Sequence, residues 1–267
     1  MRYIADNDLH IHSYLSSCSR DPEQTTEKIL AYAEKNGFKN ICITDHLWDC
    51  AVEGGSKWYK PQNIEHISRN LPLPKSEKVN FHFGCETELD KHLTLGLSKE
   101  NFDKFDFIII PTTHLHMTNF TIDEDQLNRE GRANAYVSRI KAVFNMDLPF
   151  YKIGIAHATC PLIAKEDWNE HIAIIDSISN DTFEEIFTSA AEKGVGIELN
   201  FAIERYEKED LERILRPYRI AKNKGCKFYL GSDAHVPVEL DSAKDRFEKL
   251  IDALELTEDN KFNPFVK

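Results

Sequence analysis

Short β-type runs alternate with longer helix-like segments from one end of this chain to the other, and that alternation narrows the fold more than any other feature. The runs are YIADNDLHIH, NICITDH, VNFHFGCE, FDFIIIPTTH, YKIGIAH, VGIELN and KFYLGSDAH. The clearest helical patterns between them are PEQTTEKILAYAEKNG, DTFEEIFTSAAEKG, KEDLERILRPYRIAKNKG and SAKDRFEKLIDAL. Gly37, Gly194 and Gly225 stand where a helix C-cap wants a left-handed residue. Such an order predicts a parallel sheet or barrel with crossover helices. About seven βα units fit into the 267 residues, one short of a regular eightfold barrel. Asp123 to Phe144 reads as an inserted or elongated helical region, and Trp48 to Ser76 as a long loop with a short helix. Neither has the composition of a linker. With no internal repeat and no low-complexity tract, a single α/β domain over residues 1–267 is expected.

Almost every one of these runs ends in a histidine or a carboxylate. His10 and His12 end the first, Asp45 and His46 the second, Glu86 the third, His114 the fourth, His157 the fifth, and Asp233 and His235 the seventh. In a βα barrel the carboxyl ends of all strands converge on one face, so residues more than 200 positions apart would meet there. Along an extended segment residues i and i+2 point to the same side, which lets His10 and His12 reach one cation while Ile11 packs away. Imidazole suits zinc, iron and similar ions, and carboxylates can bridge two of them. Five histidine-bearing strand ends with Glu86 and Asp233 exceed the needs of one tetrahedral site. Two or three divalent ions (Zn, Mn or Fe) are expected.

Each motif alone has an ordinary structural reading. An HxH arises by chance on surface strands, Asp45 could cap a turn, Glu86 could begin a loop, and GSDAH could be a turn before a helix. Independent explanations of that kind do not predict recurrence at one topological position.

Composition removes other classes. A hydrophobic fraction of 41% and a charged fraction of 29% suit a globular protein, and no apolar run approaches the roughly 20 residues of a membrane helix. MRYIADNDLH lacks a basic region followed by an apolar stretch, so no secretory signal and a cytoplasmic location are expected. The six cysteines are scattered without a CxxC pair, as reduced thiols would be. A net charge of −12 repels polyphosphate backbones, so nucleic acid is not an expected partner. Bound cations would cancel part of that charge.

Taken together, LHIH, ITDH, GCE, IPTTH, IGIAH and GSDAH resemble the polymerase and histidinol phosphatase (PHP) superfamily of metal-dependent phosphoesterases, in the family's order and over nearly the whole chain. The resemblance implies a distorted (β/α)7 TIM-like barrel with two or three metal ions at the strand ends. It implies that His10, His12, Glu86 and Asp233 surround one ion and that His46 and His235 hold a second. Glu86 would bridge to a third held by His114 and His157. Asp45 would orient a ligand or cap a turn. Many members carry a further His or Asp about six residues after the HxH; here that register falls on Cys18, with Asp21 the other candidate ligand.

The implied reaction is hydrolysis of a small phosphate monoester by metal-activated hydroxide, without a serine or cysteine nucleophile; no GxSxG elbow is present. His235 or His116 could protonate the leaving alkoxide. His116 lies one HxH step beyond His114, and its alternative is a rim histidine. Glu198 and Asn200 share a side of the sixth run, and Asn200 is a candidate substrate contact. Arg20 and Arg205 are candidate phosphate clamps, against the plainer reading of solvated loop arginines. His66, His82, His92 and His171 lie off the strand-end pattern, in surface or core roles. Histidinol phosphate is the leading named substrate, because histidinol phosphatases of the superfamily have about this length. IAHATCPLIAKE, however, lacks the Asp and basic residue that tend to follow the fifth-strand histidine in those enzymes. The alternatives are an amidohydrolase-like C–N or lactone hydrolase, which would want a carboxylated lysine at a strand end, and a nuclease-like metal module of DNA replication.

Overall fold

The computed structural model describes residues 1–265. One parallel sheet contains β1 (Asn7–Ile11), β2 (Asn40–Ile43), β3 (His46–Leu47), β4 (Asn80–Thr87), β5 (Phe107–Pro111), β6 (Ile153–Ala156), β7 (Gly196–Leu199) and β8 (Lys227–Leu230), in the order β1-β2-β4-β5-β6-β7-β8 with β3 also on β4. β2 and β3 are two pieces of one stave. Both pair with β4, on either side of a break at Thr44 and Asp45, where Glu86 N still donates to Asp45 O at 3.0 Å. Seven staves therefore make the nearly closed barrel, as the alternation predicts.

The helices are α1 (Thr26–Asn36), α2 (Ile64–Ile67), α3 (Arg129–Asn145), α4 (Trp168–Ser177), α5 (Asn180–Lys193), α6 (Lys208–Asn223), α7 (Pro237–Asp241) and α8 (Ala243–Ala253). None among the described residues is long and apolar enough to cross a membrane. Local chemistry sets their ends. α1 starts at Thr26 rather than at Pro22 because the Thr25 side chain accepts from Lys28 N, and it stops at Gly37 with φ 70°. The region from Asp123 splits into a short 3-10 turn, Glu124–Gln126, and α3, whose N-cap Asn128 accepts from Gly131 N.

Strand faces divide the core in two. Ile108 and Ile110 of β5 point outward into the helix layer with Ile41, Ile197, Phe183, Leu215 and Phe247, whereas Phe107 and Ile109 point inward with Leu9, Cys42, Ala156 and Tyr229. Phe262, from the segment after α8, plugs the amino end of the barrel against Gly196, where a Cβ would lie 2.5 Å from its ring. Apolar rings thus fill the lower interior and leave the upper layer to polar side chains.

Closure runs between β1 and the segment just after β8. Asp233 N donates to His10 O at 2.7 Å and His12 N to Ala234 O at 3.0 Å; below them Ser232 N donates to the Asp8 carboxylate at 2.8 Å and Leu230 N to Asn7 Oδ1 at 3.2 Å. HIH and GSDAH are therefore adjacent through the same bonds that shut the ring. A bulge between Asp8 and Ile11 re-aims β1, so that Leu9 and then His10 both face the interior while Ile11 joins the outer core.

Gly154 marks a closely packed inner layer: a Cβ there would lie 2.5 Å from Phe107 Cζ and 2.7 Å from the Tyr229 ring. Gly154→Val should cost about 1–3 kcal/mol or more by overpacking, read as a lower denaturant midpoint. An unchanged midpoint would mean that the inner layer is loosely filled.

Candidate metal centre

At the carboxyl ends of the staves, four donor atoms form a compact group. His10 Nε2 and His12 Nε2 are 3.1 Å apart; Glu86 Oε2 lies 3.5 and 3.3 Å from them, and Asp233 Oδ1 lies 3.4 and 3.1 Å from them. A tetrahedron with ligand bonds of about 2.0–2.1 Å has edges of about 3.3–3.4 Å. The donor types suit a zinc-type cation, and these five spacings of 3.1–3.5 Å bracket that edge. Two of the residues that aim donors here carry strained backbone, His157 at φ 39° and Asp233 at φ 52°. Such conformations are costly for side chains other than glycine and cluster where function requires them.

Two further clusters flank the first, and a third group, His10, His157 and Glu198, shares His10 with it. His12, His46 and His235 converge on one side, and Glu86, His114 and His157 on the other. Glu86 joins them, with Oε2 2.9 Å from His46 Nδ1 and Oε1 3.3 Å from His157 Nε2. The residue is fully buried, yet neither oxygen has a hydrogen-bond partner in favourable geometry; the same holds for His46 Nδ1. Buried polar atoms left so are rare, and a carboxylate is the most costly of them. Burial raises the Glu86 carboxyl, but His46 and His10 outweigh it and hold it well below the carboxylate range. Burial likewise lowers the imidazoles, yet Glu198, Asp233 and Glu86 keep His10 well above its ordinary value, and Asp233 and Glu86 lift His12 to about 9. The cluster draws positive charge, as protons or as metal ions.

Other side chains fix the rings. Glu198 Oε1 lies 2.5 Å from His10 Nδ1, and its Oε2 accepts from His157 N at 2.7 Å. Glu88 Oε2 lies 2.8 Å from His114 Nδ1 while its Oε1 accepts from the buried Arg139 at 2.6 Å. His12 Nδ1 meets Ser16 Oγ at 3.0 Å, and Ser16 donates to Asp45 at 2.6 Å; Asp45 also accepts from Ser13 and Asn70. Carboxylates behind imidazoles set the tautomer that leaves the other nitrogen free for a metal. Asp45 thus acts behind the donors. Glu88 and Arg139 escape the sequence reading. The i, i+2 rule that singles out HIH also applies to GCETE and would have found Glu88, whereas nothing local marks Arg139, 51 residues away.

A cavity of about 580 Å³ opens over the donors, lined among others by Cys18, His46, Glu86, His114, His116, His157, Asp233 and His235. Cys18 borders it, exposed by surface area and in no donor cluster; desolvation, then Asp233 and Glu86, push its thiol up. Asp21 instead accepts from Glu23 N at 2.9 Å, and Arg20 is exposed; neither is among the residues lining this cavity. Asn200 and Arg205 line a separate cleft on the far side of Asp233, with Arg205 over the Trp168 ring. Burial and neighbouring imidazoles push His116 down to about 3 and His235 to about 4, so both are neutral rings at neutral pH. His66, His82 and His171 hold structural places: on Leu15 O, against the Phe265 ring, and on Trp168 O.

Comparison with known proteins agrees with this geometry. The family model of the PHP domain matches residues 8–202. The chain belongs to the PHP domain family. A curated relative from Caldicellulosiruptor saccharolyticus, described as "Probable phosphatase", is 24% identical over 247 residues, covering 92% of this chain and 86% of its own. The crystal structure of histidinol phosphate phosphatase from Lactococcus lactis, complexed with zinc, L-histidinol and phosphate, superposes with a TM-score of 0.58 at 17% identity over 97% of each chain. At that identity the similarity is one of fold. Asp233 and His235 lie beyond the matched residues of the family model, and the barrel closure brings them beside His10 and His12.

If Glu198 orients His10, Glu198→Gln should weaken metal retention by about 10–100-fold at near-native stability. Metal titration with a competing chelator measures this, and wild-type affinity would remove Glu198 from the centre.

Proposed function

We propose that this PHP domain is a metal-dependent phosphoesterase that hydrolyses a small phosphate monoester to its alcohol and inorganic phosphate at a centre of two or three divalent ions. The observation that carries the reading is Glu86, a buried carboxylate without hydrogen bonds, flanked by His10, His12 and His46 on one oxygen and by His157 on the other. His10, His12, Glu86 and Asp233 would hold one ion, His46 and His235 a second, and His114 and His157 a third, with Glu86 shared. Bound divalent cations supply neutralisation of phosphoryl charge and a water whose pKa falls towards about 7.

The chain's own part is placement. Glu198, Glu88 and the Ser16–Asp45 pair lock the rings, so the site is formed before substrate arrives. His235, held by its own Nδ1 on Asp233 O at 2.7 Å, presents its other nitrogen at the cavity wall. That nitrogen would serve the second ion, so the hydrogen bond to the ester oxygen falls to the neutral ring of His116 at the cavity wall, and the proton for the departing alkoxide would come from a bound water. The raised Cys18 thiol offers no support for a cysteine nucleophile. Lys57 and Lys165, the lysines that line the cavity, are exposed and lie on loops rather than at strand ends, which disfavours the carboxylated lysine that an amidohydrolase-like reading would want. Asn200 and Arg205, in their separate cleft, remain candidate contacts for a substrate long enough to pass Asp233. The similarity to a zinc-bearing histidinol phosphate phosphatase makes histidinol phosphate the first metabolite to try.

Metal analysis of the purified protein should find more than one equivalent of Zn, Mn or Fe, and chelation should abolish turnover of 4-nitrophenyl phosphate. Glu86→Ala and His12→Ala should each lose that turnover and at least one equivalent of metal. Full activity in both variants would refute the assignment.

A further inference from the structure

Beyond the donors, the cavity wall is aromatic: Trp58 and Tyr59 from the loop after β3, and Phe120 from the loop after β5, with Met117 and Leu162 beside them. The rings support one another. Trp58 meets Tyr59 edge-on at 4.7 Å between centroids, and Tyr59 lies 5.5 Å from Phe120. Trp48 backs the group, 5.5 Å from Phe120 and 6.1 Å from Tyr59. Gly55 and Gly96 press against Trp48, where a Cβ would lie 2.7 and 2.5 Å from its ring, and its Nε1 donates to Val52 O at 2.9 Å. Trp58 remains 38% exposed and stands 5.1 Å from the His46 ring. Trp58 therefore stands beside the donors on the wall of the same cavity.

The charges on this wall are equally selective. Among the described residues that line the cavity, the carboxylates are Glu86 and Asp233, both committed to the donor set; the remaining formal charges are Lys57 and Lys165 at the rim. An ammonium on the leaving group would find no free counter-ion and two like charges. Aromatic faces attract cations as well as rings, so the lysines decide the sign. They also favour arrival of a phosphate dianion.

We infer that the substrate is the phosphate monoester of an alcohol bearing a flat, uncharged ring, selected by Trp58 and Phe120 with the buried Tyr59 behind them, and not of an amino alcohol. This rests on the phosphoesterase reading and narrows it. Three primary alkyl esters of matched intrinsic reactivity test it on the metal-loaded enzyme: benzyl phosphate, cyclohexylmethyl phosphate and histidinol phosphate. Benzyl phosphate should exceed each of the others in kcat/KM by about tenfold, the scale of one aromatic contact. Trp58→Ala should erase its lead over the cyclohexylmethyl ester, and Trp58→Phe should restore it. The double variant Lys57→Glu, Lys165→Glu should raise histidinol phosphate relative to benzyl phosphate. Histidinol phosphate as the best wild-type substrate, or a benzyl preference indifferent to Trp58→Ala, would overturn the inference. Turnover of 4-nitrophenyl phosphate with no preference among the three contradicts the inference alone. No turnover of any of the four contradicts the phosphoesterase reading and the inference with it.

Discussion

Removing a carboxylate from water costs several kcal/mol unless its charge is met, and Glu86 is removed from water completely. Arg139 shows how this chain meets a buried acid when structure is the purpose. It donates to Glu88 at 2.6 Å and fills its remaining valences with the carbonyls of Thr112, Asp90 and Thr121. Glu86, two residues earlier on the same stave, receives no such partner and is surrounded by imidazoles. The contrast between the two neighbouring glutamates is one of partners: Glu88 is shared between Arg139 and His114, whereas Glu86 faces imidazoles alone. The acids behind the rings and the positive-φ turns at His157 and Asp233 set imidazoles around that carboxylate, and those imidazoles hold it ionised.

Fold and site share their bonds. The hydrogen bonds of Asp233 to His10 and of His12 to Ala234 close the barrel and also set donors from opposite ends of the chain side by side. Gly231 makes the same point sterically, since a Cβ there would fall 2.1 Å from Glu198 Oε1 and 2.7 Å from His10 Cβ. Backbone and catalytic layer touch without spare room, and the plug of Leu9, Phe107, Tyr229 and Phe262 beneath supports both.

The barrel and the donor set were legible because both follow from periodicity. Strand ends of a parallel barrel gather on one face, and the i, i+2 rule selects the inward side. The rule fails where the strand does. Asn200 follows the last residue of β7, so it turns into a separate cleft while Glu198 stays inside. The break at Thr44 and Asp45 and the bulge in β1 leave no mark in composition, because they depend on pairing with β4 and on closure against β8. Helix α4 was hidden because WNEHIAIIDS is apolar on more than one side, a consequence of packing between α3 and α6. Arg139, Lys165 and the Trp48 scaffold act through contacts distant in sequence, which a single chain of letters does not display.

Anomalous diffraction at the zinc edge from crystals grown with zinc tests the central claim most directly. The account predicts scattering peaks on both sides of the Glu86 carboxylate, one of them within about 2.0–2.2 Å of His10 Nε2, His12 Nε2, Glu86 and Asp233. Zinc bound elsewhere, with Glu86 still surrounded only by imidazoles, would contradict it.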